Sequence, residues 1–106
     1  MLNNTKDTVF IGKKHLMAYV TSTLFQLASL PTVNIKARGM SIARAVDVAQ
    51  IILNRTKASG YTIGKIKIDS ESLESSDGRK RDVSTIEIPI TRTTDRQSDK
   101  LESGEE

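Results

Sequence analysis

The chain has 106 residues, 37% of them apolar and 27% charged, with no cysteine and a single histidine. That composition is one soluble domain around one core rather than a two-domain enzyme, and it excludes a disulfide framework, a thiolate nucleophile and any zinc site built on sulfur. The formal charge of +3 hides an asymmetry: residues 1–92 hold 14 Lys and Arg against 8 Asp and Glu, a net +6, whereas residues 93–106 hold 2 against 5, a net −3.

A basic body favours a polyanion, by counterion release from nucleic acid or by attraction to an anionic membrane surface. The longest uncharged run, His15 to Ile35, is long enough to span a bilayer. It contains Pro31 and the polar residues Thr21, Ser22, Thr23, Gln26, Ser29 and Thr32, which argues for an amphipathic helix followed by a strand. Met1 to Asp7 is polar and lacks the apolar block of a signal peptide, so an intracellular protein without a membrane partner is expected.

In chain order, Thr8-Val9-Phe10-Ile11 reads as a buried first strand, broken by Gly12. From Lys13 onward, Leu16, Met17, Val20, Leu24, Leu27 and Ala28 recur at helical spacing, and Pro31 stops that helix. Val33, Ile35 and Ala37 alternate with Asn34 and Lys36 in a half-buried strand that Arg38 and Gly39 end. A second helix begins near Ser41, a capping residue, carries Ile42, Ala45, Val46, Ala49, Ile52 and Leu53 on one face, and stops at Gly60. Ile63, Ile66 and Ile68 predict a third strand with Gly64 marking a bulge. Asp77-Gly78 predicts a hairpin into a fourth strand, Val83 to Thr91, with Ile86, Ile88 and Ile90 on one face and Pro89 awkwardly inside it.

The expected fold is therefore α+β in two layers, β-α-β-α-β-β, with two helices on one face of a four-stranded mixed sheet. From Lys65 to Asp77 the chain could extend roughly 40 Å, more than a compact domain of this size needs, so the last hairpin should project into solvent. The domain is expected over residues 8–92, after a flexible lead at 1–7 and before an acidic, disordered tail at 93–106.

Three basic groups fall at element boundaries. Lys13 and Lys14 follow the first strand, where backbone N–H groups at a helix start also favour phosphate. Lys36 and Arg38 close the second strand, and because two parallel strands share their exit edge these cations should converge with Lys13. Arg79, Lys80 and Arg81 follow the hairpin turn, where a projecting cationic ribbon can enter a nucleic-acid groove, though Asp69, Glu71, Glu74 and Asp77 oppose them. The aromatics Phe10, Tyr19, Phe25 and Tyr61 are scattered, which suits core or rim packing and disfavours a base-stacking platform. Ser-His pairs, paired acids and metal-ligand clusters are missing from the sequence, so no enzyme activity, cofactor or metal is expected.

The segments Val9-Phe10-Ile11-Gly12-Lys13-Lys14, Ile35-Lys36-Ala37-Arg38-Gly39, Ala45-Val46-Asp47, Asn54-Arg55, Asp77-Gly78-Arg79 and Val83-Ser84-Thr85-Ile86-Glu87-Ile88 together resemble the archaeal chromatin protein family Alba, from about Val9 to Arg92. The resemblance implies a fold like the C-terminal domain of bacterial translation initiation factor three, a homodimer, and binding of double-stranded DNA and of RNA with little sequence preference. It assigns nucleic-acid contacts to Lys13, Lys14 and Arg38, with the hairpin arms, including Arg79 and Arg81, along the minor groove. It makes Lys13 the candidate for acetylation, with an acetyltransferase or deacetylase as a further partner. Four positions depart from the family pattern: Met40 and Pro89 replace a common basic residue and a common glycine, and His15 and Thr56 replace a frequent proline and phenylalanine.

The expected function is a chromatin-condensing, chromosome-associated DNA binder in the cytoplasm. The alternatives are an RNA-binding protein of ribosome or RNA-processing complexes, or a scaffold whose basic loops bind an acidic protein, including its own tail.

Overall fold

A computed structural model describes residues 7–55 and 60–92. The elements are β1 (Thr8–Phe10), α1 (Leu16–Leu27), β2 (Thr32–Arg38), a 3-10 turn (Gly39–Ser41), α2 (Ile42–Arg55), β3 (Tyr61–Ile63), β4 (Lys67–Glu74) and β5 (Lys80–Arg92). The sheet order is β1-β2-β5-β3, with β4 also on β5; β1 and β2 are parallel and every other pair is antiparallel. Both helices pack on one face, as the alternation in β2 requires: Val33, Ile35 and Ala37 are buried, while Asn34 and Lys36 look the other way. The core joins these to Val20 and Leu27 of α1, Ala45, Val48, Ala49 and Ile52 of α2, and Ile88 and Ile90 of β5. No helix among the described residues is long and apolar enough to cross a membrane.

Several boundaries differ from the sequence expectation. Helix α1 starts at Leu16 and not at Lys13, which leaves both lysines in a loop; His15 sits at the cap position without a side-chain cap bond. Ser41 ends a 3-10 turn and does not itself open α2. The buried stripe of α2 runs through Val48, and Val46 is exposed. Along Thr8 to Ile11 only Val9 and Ile11 are buried in the core, and Phe10 is 58% exposed on the opposite face. Phe25 is exposed as well, so two of the four aromatics are not core residues.

The expected third strand is two strands, and Pro89 supplies the reason. Ile63 pairs with Ile90, and the next step would pair Gly64 with Pro89. The Gly64 N–H donates to the Pro89 carbonyl at 2.8 Å, but proline has no N–H to return. Pairing resumes with Lys67 opposite Glu87, so Lys65 and Ile66 together stand opposite the single residue Ile88, a β-bulge. Gly64 fits closely there: a Cβ would lie 3.2 Å from the Pro89 ring, so a side chain would have to push the ring aside.

Beyond Thr85, the last residue of β5 paired with β2, β5 is paired with β4 alone. This two-stranded arm gives the molecule its length, 58 × 25 × 24 Å. At the opposite end, Arg92 donates to the carbonyls of Leu27 (2.8 Å) and Leu30 (3.3 Å), closing the C-terminus of α1 with a cation. The acidic tail, Thr56 and the first six residues lie outside the described residues.

Candidate nucleic-acid interface

Because β1 and β2 are parallel and in register, with Phe10 opposite Lys36, their C-terminal ends form one rim of the sheet. The Ile11 N–H donates to the Lys36 carbonyl at 2.9 Å and carries that registry into the loop holding Lys13 and Lys14, both exposed. Two side chains fix the loop. The Tyr19 hydroxyl, one turn into α1, accepts the N–H of Gly12 at 2.8 Å and of Lys14 at 3.1 Å. From α2, Arg44 donates through Nε to the Gly12 carbonyl at 3.0 Å and through Nη2 to the Lys14 carbonyl. The lysines thus stand on a backbone clamped from both helices, with a third cation, Arg44, beneath them. Two loop amides are taken by Tyr19, so the backbone N–H groups expected to be free here are partly used within the chain.

Arg38 ends β2 on the same rim, its side chain 57% exposed and its Nη1 3.5 Å from Glu71 Oε1 on β4. Lys36 lies two residues before Arg38 on the same sheet face. Its side chain lies on the open sheet face, away from the helices, with Nζ 6.0 Å above the Phe10 ring and 4.0 Å from Glu87. That face is a groove of about 840 Å³ whose charged lining is Lys36, Arg38 and Lys67 against Asp69, Glu71 and Glu87. Three cations stand there against three carboxylates, whereas Lys13, Lys14 and Arg44 on the rim form no salt bridge among the described residues.

The arm rises past the rim and ends in a five-residue connection between Glu74 and Lys80. The Gly78 N–H closes a β-turn on the Ser75 carbonyl at 3.0 Å, and Gly78 then takes φ +87°, which a side chain would strain. Asp77 organises the turn by accepting from the Ser75 hydroxyl and the Arg79 N–H; these bonds, the hydroxyl first, hold its carboxyl below the usual aspartate range. Arg79 is 83% exposed and lies 3.7 Å from Asp77, Lys80 stands opposite Glu74 in register, and Arg81 is exposed. All three arm cations therefore reach solvent at the far end of the ribbon.

Three residues of this end were not assigned from sequence. Tyr19 was grouped with packing aromatics, and Arg44 belonged to no basic cluster. Met40, between Arg38 and α2, is 95% exposed.

Fold and site define a β-α-β-α-β-β-β domain with a clamped cationic rim and a protruding two-stranded ribbon. The Alba family model matches residues 7–70, and the chain belongs to that family. It is 70% identical over 92 residues to the DNA/RNA-binding protein Alba of Nitrosopumilus maritimus, covering 87% of this chain and 97% of the relative. The protein of the same name from Nanoarchaeum equitans is 48% identical over 86 residues, with 79% and 96% covered. Among solved structures, Alba from Thermoplasma volcanium aligns with a TM-score of 0.73 at 36% identity, over 80% of this chain and 99% of that one. An ALBA protein of Trypanosoma brucei, 22% identical, shares the fold at a TM-score of 0.65, with 89% and 77% covered.

Proposed function

We propose that the chain is a homodimeric, sequence-tolerant binder of double-stranded DNA that coats and condenses the chromosome. The observation that carries this is the rim: Lys13, Lys14, Arg38 and Arg44 share one end of the sheet, and the arm extends past that same end. Such an arrangement neutralises phosphates without presenting a helix or a planar set of donors to base edges, so it holds DNA by backbone and shape. The second protomer doubles the rim and supplies a second arm. Exposed Val46, Ile66 and Ile68 support dimerisation, since the helix-side face of the sheet continues onto β4 without cover. Acetylation of Lys13, which is exposed, would remove one rim charge.

The test is a salt titration. With about six phosphate contacts per dimer, log K should fall against log salt with a slope near −5. The double variant Lys13→Glu, Lys14→Glu should weaken binding to unrelated duplexes about equally and flatten the slope; wild-type affinity from a folded variant overturns the proposal. RNA is the second ligand we propose, because the relatives named above carry DNA/RNA-binding in their names. Competition between duplex DNA and structured RNA at one salt concentration ranks the two.

A further inference from the structure

Met40 carries no charge to the rim beside it. It is the most exposed large apolar side chain among the described residues, at 95%, in the middle of the 3-10 turn that joins Arg38 to α2. The turn is held in place. Gly39 takes φ +58°, and a Cβ there would meet Val83 of the arm at 3.4 Å, so the arm base abuts it on one side. On the other side Arg44 ties the start of α2 to the Lys13–Lys14 loop. Met40 therefore stands exposed on a turn flanked by Arg38, the arm base and Arg44, within the stretch that a duplex seated on all three would face.

We infer that Met40 is an apolar contact to duplex DNA, packing into the minor groove against deoxyribose and base edges; this rests on the duplex-binding function proposed above. A thioether under a phosphate would only desolvate the anion, so the side chain needs apolar surface on the duplex. The major groove offers the thymine methyl, which would make binding depend on sequence. The minor-groove walls are sugars, the same for every base pair, and an unbranched, flexible side chain fits them without choosing a sequence. Met40 thereby adds to the rim a component of affinity that salt does not screen.

The test uses the full chain and one random-sequence DNA duplex, with affinity measured over a series of salt concentrations for wild type, Met40→Ala, Met40→Gln and Met40→Lys. The Ala and Gln variants should bind about tenfold more weakly at every salt, giving lines parallel to wild type, as removal of buried apolar surface predicts. The Lys variant should steepen the slope by about one per contacting protomer. The loss should persist on the same duplex with uracil in place of thymine. Wild-type affinity in both the Ala and Gln variants, a loss that fades as salt rises, or a loss confined to thymine-containing DNA each overturns the inference. If the Lys13 and Lys14 substitutions weaken binding while those at Met40 do not, the rim stands and Met40 falls; if neither set has an effect, both fall.

Discussion

Tyr19 is an aromatic residue whose oxygen matters as much as its ring. Its ring is buried with the α1 stripe, and its hydroxyl accepts two amides of the lysine loop. Tyr19→Phe keeps the packing and leaves the Gly12 and Lys14 amides without this acceptor, a loss of about 1–2 kcal/mol. Amide exchange at Gly12 and Lys14 should quicken in NMR spectra and duplex affinity should drop several-fold, although no charge has changed; unaltered exchange would show that the hydroxyl does not hold the loop. Sequence periodicity gave α1 a predicted stripe that left Tyr19 out and included Met17 and Ala28, both exposed; the buried face runs through Tyr19, Val20, Thr23 and Leu27. Periodicity does not report an oxygen reaching back five and seven residues, nor a guanidinium bonding carbonyls 30 and 32 residues away, as Arg44 does. Phe10 was misplaced because a four-residue apolar run was taken as buried on both faces, while the strand buries alternate residues.

At the scale of elements, the order of strands and helices, the projecting hairpin and the core faces of β2 and β5 were legible from alternation and turn chemistry. The split of the third strand was only half legible: Gly64 and Pro89 were each noted as irregular, but that they face each other depends on a register no local pattern fixes. The arm adds reach more than stability. Of residues 72–82 only Leu73 is even half-buried, and none belongs to the core. Replacing 72–82 by Asn-Gly, which closes a hairpin between Glu71 and Val83, should leave the melting temperature within a few degrees of wild type while duplex affinity falls. A collapse of the melting temperature would mean that the arm belongs to the fold.

For the whole molecule, the parallel pairing of the first two strands was enough to foresee that Lys13, Lys14 and Arg38 meet at one end. The pairing of Lys36 with Glu87 and of Arg38 with Glu71 was not foreseen, because strand parity gives a face and says nothing of the carboxylates that β4 and β5 bring beside it. Dimerisation is tested at this scale. Ile68 is 79% exposed on the helix side of β4, opposite Ile86 in register. Ile68→Glu should halve the mass seen by sedimentation equilibrium and lower duplex affinity, since one rim and one arm then act alone; an unchanged dimer would place the interface elsewhere.

The bulge at Lys65–Ile66 gives the ribbon unequal rails. One rail, β5, runs unbroken from the tip to the middle of the core at Ile88 and Ile90. The other rail is jointed where Gly64 meets Pro89. A push on the tip along β5 therefore meets the core directly, whereas one along β4 meets the bulge first.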